Sequence, residues 1–128
     1  MSIMIQASDF LTKSHAKIRS ENEPISTFGN DNTYIALHYR RLGELIELTA
    51  YLMQYFPASG RYLTEEVGRE VTTDEEDALS YACDLEYAGS RRLRELDIKD
   101  EGSQPCDFQT ALERAFARES RQYAVAAE

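Results

Sequence analysis

The side chains best placed to do chemistry in this chain are carboxylates. Between Glu65 and Glu86 there are nine (Glu65, Glu66, Glu70, Asp74, Glu75, Glu76, Asp77, Asp84 and Glu86) against one base, Arg69. The formal net charge is -9, so nearly the whole excess sits in this one stretch. Neighbouring acids on one exposed turn do not make an acid–base pair, which needs a cleft that splits two pKa values. His15 and His38 are the only histidines. His38 falls on an apolar stripe and reads as a hydrogen-bonded core residue. Cys83 and Cys106 have neither a metal spacing nor the pattern of a disulfide framework, and two free thiols in a reducing cytosol are expected. Cys83 as a nucleophile would need a base such as His38 close in space, and no motif supplies one. The segment "PASG" lacks the lysine and the spacing of a phosphate-binding loop. The expectation is a protein without enzymatic activity, metal or cofactor.

At 128 residues the chain has the length of a single domain, and 42% apolar residues suffice for a core. The N-terminal residues have no basic flank, and no apolar run approaches a membrane span. A cytoplasmic protein is expected.

Ser8 to Ser20 suggests a short helix, and "ENEPISTFGNDN" a loop. Thr33 to Phe56 shows the strongest helical periodicity, carried by Ile35, His38, Leu42, Leu45, Ile46, Thr49, Leu52, Met53 and Phe56. Leu37, Leu48, Tyr51 and Tyr55 widen that stripe, leaving Arg40, Arg41, Glu44 and Glu47 as ordinary helical ion pairs. A helix so apolar is central in its domain or buried between subunits, which suggests a homodimer.

A turn and a few extended residues follow Pro57, and Thr64 opens a short helix to about Val71. A further helix starts at a Thr73–Glu76 capping box or at Asp74, buries Ala78, Leu79, Ala82, Leu85 and Ala88, and stops at Gly89. Residues 90–98 either form a strand or prolong that helix. "KDEGSQP" is a break. Asp107 to Ala127 is a last amphipathic helix with Phe108, Leu112, Ala115, Phe116 and Tyr123 inward. The division expected is an N-terminal helix and loop (1–33), a core (34–98) and a C-terminal helix (105–128).

Read in this order, residues 41–95 resemble the winged helix-turn-helix superfamily of bacterial transcription regulators. The matching residues are Gly60, Leu63, Thr64, Glu65, Glu66, Val67, Val71, Ala78, Ala82, Leu85, Glu86, Ala88 and Gly89. The resemblance implies a mainly α fold: a winged-helix-like tri-helical core, flanking N- and C-terminal helices and at most a small β-wing. It also implies that Asp74, Glu75, Glu76, Asp77, Ser80, Tyr81 and Asp84 face the major groove of DNA.

Electrostatics oppose that role. A like-charge contact at about 4 Å costs about 1 kcal/mol in bulk water and up to about 4 at an effective dielectric near 20. Several would cancel the roughly 4–10 kcal/mol that separates specific from nonspecific DNA binding. The reading preferred is a small regulatory protein that docks an acidic surface (Glu65, Glu66, Glu70, Asp74, Glu75, Glu76, Asp77, Tyr81 and Asp84) on a basic protein partner. Its concrete form is a phage or mobile-element inhibitor imitating DNA against a nucleic-acid-binding protein. The bland reading of the same acids is a solvated helix start, favoured by the helix dipole. The alternative function is a dimeric winged-helix regulator touching DNA through Arg91, Arg92 and Arg94, and through Arg61 or Arg69. Those three arginines equally suit the negative end of the helix before them.

Overall fold

The computed structural model describes residues 23–98 and 106–127, with side chains through residue 121. The element order is β1 (Ser26–Gly29), β2 (Thr33–Leu42), β3 (Leu45–Phe56), β4 (Arg61–Thr72), α1 (Glu75–Glu95) and α2 (Asp107–Ala127). The strands form one antiparallel sheet in the order β1-β2-β3-β4. This α/β architecture replaces the mainly α, tri-helical winged-helix fold expected from the sequence. The expected helix at Ser8–Ser20 and the break "KDEGSQP" lie outside the described residues.

The long helix expected over Thr33–Phe56 is instead the β2–β3 hairpin, paired from Thr33↔Gln54 to Leu42↔Leu45. Its turn is Gly43-Glu44. Gly43 has φ 62 and Glu44 is not among the positive-φ residues, the pattern of a two-residue type II′ turn, which suits the twist of a hairpin. Ile35, Leu37, Ile46, Leu48, Ala50 and Leu52 face the helices and are buried. Ala36, His38, Thr49 and Met53, on the opposite face, are buried as well. Central strands apolar on both faces lose the alternation that identifies a strand. Most of the apolar stripe is thus buried within the chain, while Leu42, Leu45 and Phe56 stay exposed.

The short helix expected from Thr64 to Val71 is also strand, forming part of β4. Its pairing with β3 slips between Ala50↔Gly68 and Tyr51↔Glu66, leaving Val67 as the extra residue of a bulge. The β1–β2 turn is closed by Asn30, whose Oδ1 accepts from the backbone N–H of Asn32 at 2.9 Å and of Thr33 at 2.8 Å.

α1 forms where the sequence places it. Asp74 caps it, accepting the N–H of Glu76 at 3.1 Å. Glu75, Glu76 and Asp77 fill its first turn, and Arg92 and Arg94 its last, the distribution the helix dipole favours. Ala78, Ala82 and Leu85 are buried as expected. The helix does not stop at Gly89, however. It runs to Glu95, so residues 90–95 prolong it and form no wing. It ends in a Schellman arrangement: Ile98 N–H reaches Leu93 O at 2.9 Å and Asp97 N–H reaches Arg94 O at 3.0 Å.

Gly89 has a packing role instead. A Cβ there would sit 2.7 Å from Ile35 Cγ2 and 3.2 Å from Phe28 Cζ. From the sheet side, a Cβ on Gly68 would meet Leu85 Cδ2 at 2.8 Å. Two missing side chains thus let α1 lie directly on the strands. α2 packs on α1 and reaches the sheet through Phe108 against Phe28 (5.2 Å between centroids) and Phe116 against Tyr39 (5.5 Å). Phe108, Leu112, Ala115 and Phe116 are buried, as their spacing implies.

Replacing Gly89 by Leu should lower stability by about 1–3 kcal/mol through overpacking, despite leucine's better helix propensity. Thermal unfolding of this variant beside wild type measures it. An unchanged or raised Tm would show that the close approach is not needed.

Candidate functional site

The turn from β4 into α1 is sharp. Asp74 N–H bonds Thr72 Oγ1 at 3.1 Å while its carboxylate caps the helix. Glu70, near the end of β4, and Asp74, Glu76 and Asp77, at the start of α1, are thereby gathered at one end of the molecule. Asp84 lies two turns further along, exposed on the same helix. Tyr81, expected on this surface, is half-buried and packs against the core.

The other acids of the expected surface are held by arginines. Arg92 forms a two-pronged pair with Glu65, Nε to Oε2 at 2.7 Å and Nη2 to Oε1 at 3.1 Å, and also bonds Glu95 at 3.2 Å. Arg69 pairs with Glu66 at 3.1 Å. Arg41 bonds Glu75 and Glu119 at 2.9 Å each, donates to the Tyr39 hydroxyl at 2.9 Å, and lies over the Phe116 ring. Arg40 and Glu47, expected as helical neighbours, instead face each other across the β2–β3 hairpin at 3.3 Å. Among the described residues, no Lys or Arg nitrogen lies within 4.0 Å of the carboxylates of Glu70, Asp74, Glu76, Asp77 or Asp84.

These pairings have electrostatic consequences. The Arg92 guanidinium holds the Glu65 carboxyl below the usual glutamate range, against a smaller opposing effect of burial. Burial, helped by the hydrogen bond to Glu119, pushes the Tyr39 hydroxyl above the ordinary tyrosine range. A cleft of about 510 Å³ opens beside Arg41, between the hairpin turn at Gly43, the start of α1 at Thr73 and Glu75, and α2 at Phe116 and Glu119. An anion entering it would have to displace carboxylates already bonded to Arg41, so the cleft is poorly suited to anion capture.

Glu86 was legible only as one more acid. The structure turns it inward, where it is 7% exposed, and its carboxylate accepts the N–H groups of Cys106 at 2.9 Å and Phe108 at 2.6 Å. A side chain of α1 thus caps α2, and the negative charge meets the positive end of that helix. The available signal was spacing, since Glu86 falls on the stripe of Ala82, Leu85, Gly89 and Leu93.

The arginines of the alternative reading sit at the other end of α1. Arg92 is committed to Glu65 and Glu95, and Arg91 lies over the Tyr87 ring at 5.6 Å. His38 is buried on the face of β2 away from the helices, edge-on to Tyr51 at 5.3 Å. Among the described residues, no three His, Cys, Asp or Glu side chains converge as a metal site requires. No described helix is long and apolar enough to cross a membrane.

Because the folded-state pKa of Glu65 is depressed, its pair with Arg92 contributes stability that is complete above the ordinary glutamate value of about 4.3 and is lost on acidification below it. Glu65→Gln should flatten that part of the pH–stability curve. Denaturant melts from pH 6 to pH 3 check this, and parallel curves for the variant and wild type would contradict it.

Comparison with known proteins finds no matching family model, no matching curated protein and no matching solved structure.

Proposed function

We propose that this chain acts by docking the carboxylate-rich end formed by the last residues of β4 and the exposed side of α1 onto a basic protein surface. The supporting observation is the division of charge described above. Glu65, Glu66 and Glu75 are occupied by arginines of the same chain, whereas Glu70, Asp74, Glu76, Asp77 and Asp84 have no cationic neighbour among the described residues. Fields of one sign on a surface speed and select encounters with partners of the opposite sign. A protein that itself handles nucleic acid is the partner class that fits best, with carboxylates standing where phosphates otherwise would. Such binding weakens as salt rises.

DNA recognition by a winged helix does not survive as a second reading. The helix-turn-helix core it needs is a sheet, and Arg92, one of its contact residues, is tied within the chain.

Glu76, Asp77 and Asp84 form no ion pair among the described residues, so reversing them together to Lys costs the fold only the favourable helix-dipole interaction of the first two. Affinity for a basic partner isolated with the wild-type chain should fall at least tenfold, about 1.4 kcal/mol. Titration calorimetry measures it, with thermal melting confirming that the variant folds. Equal affinity of the variant, or a duplex mobility shift by the wild-type chain at about 50 mM salt, would overturn the reading.

A further inference from the structure

The cysteines stand far apart in the sequence, yet the fold brings them together. Cys83 lies on α1, three residues before the buried Glu86. Cys106 immediately precedes α2, and its backbone N–H is held by Glu86 at 2.9 Å. Cys83 Sγ donates to Gln109 Oε1 at 3.2 Å, one turn into α2. The Cys106 thiol is near enough to bear on the titration of Cys83, and both cysteines are reduced. Two contacts from neighbouring turns of α1 thus fix the start of α2, with Cys83 of α1 and Cys106 just ahead of α2 at the junction. Cys83 is half-buried and Cys106 is exposed. The Cys106 backbone has φ 63, an unusual conformation for a residue other than glycine, kept in place by the Glu86 contact.

We propose that Cys83 and Cys106 form an oxidative modification site, in which hydrogen peroxide converts the pair into an intramolecular disulfide that fastens α2 to α1. The exposed Cys106 thiolate attacks one oxygen of peroxide. The O–O bond breaks, hydroxide leaves and is protonated to water, and Cys106 becomes a sulfenic acid. The Cys83 sulfur then attacks the Cys106 sulfur. The S–S bond forms, the S–O bond breaks, and the departing hydroxide leaves as water with the Cys83 proton. Overall, two thiols each lose a hydrogen and one peroxide is reduced to two waters.

The order of attack follows from the surroundings. Burial, the neighbouring Cys106 and the negative charges of Glu86 and Asp84 push the Cys83 thiol up to about 12, so it is the slower nucleophile near neutrality. Closure should therefore quicken as pH rises. The contacts from Cys83 to Gln109 and from Glu86 to Cys106 hold both cysteines at one junction, where a bond of about 2.05 Å can close between them.

The test uses the full-length wild-type protein, treated with peroxide and then alkylated before mass spectrometry. The expected product is a monomer lighter by two hydrogens, unreactive to the alkylating reagent, with the Cys83 and Cys106 peptides joined until a reductant is added. Its Tm should rise by about 5 °C or more and return on reduction. Cys83→Ser should remove the crosslink and leave Cys106 reactive. Because the peptide map is read on wild-type protein, the outcome does not depend on that variant folding. A dimer bridged through Cys106, or Cys106 oxidised to the sulfinic acid while Cys83 stays alkylatable, would overturn the proposal.

Discussion

The close seating of α1 on the sheet organises this molecule. Gly68 on β4 and Gly89 in the middle of α1 remove the two side chains that would hold helix and strands apart, and Leu85, Ile35 and Phe28 occupy the space released. At that separation Arg92 reaches Glu65 on β4, and Arg41 on β2 reaches Glu75 at the first turn of the helix. The same packing directs Glu86 toward the start of α2, where its carboxylate replaces an N-cap that the local sequence does not supply. Helix position, capping of the next helix and charge pairing are three consequences of one contact.

Charge is divided accordingly. Arginines close to the sheet take up the acids within their reach, and the acids beyond it stay solvated. Pairs this exposed add little to stability, generally under about 1 kcal/mol each. Their larger effect is on the distribution of surface charge, which is partly neutralised along β4 at Glu65 and Glu66 and left unpaired among the described residues at Asp74, Glu76, Asp77 and Asp84. The helix-dipole explanation of these acids and the docking explanation are compatible. Asp74 and its neighbours suit a helix start, and they also present a surface that the arginines among the described residues leave open.

The two helices were legible in the sequence because their signals are local. Asp74 marks the beginning of α1, and apolar spacing marks the inner faces of both α1 and α2. Thr33–Phe56 misled because β2 and β3 are buried on both faces, so Ile35 and Leu37 are interleaved with Ala36 and His38 rather than with polar residues. The deciding clue, Leu42-Gly43-Glu44-Leu45, was a hairpin turn within an otherwise helical-looking run. Gly89 likewise resembled a helix stop because a glycine required by packing and a glycine required by a left-handed turn look alike in one dimension. The carboxylates of the candidate site were all visible. Which of them were already taken was not, since Arg92 and Glu65 are 27 residues apart and Arg41 and Glu119 are 78 apart.

Amide chemical-shift mapping of the labelled protein with a short oligolysine at low ionic strength addresses the central point most directly. The perturbations should centre on residues 70–84, spare the neighbourhoods of Glu47 and Glu65, and fade as salt is added. Shifts spread evenly over every acidic residue, paired or not, would show that the internal arginines do not shape the surface and would contradict the account.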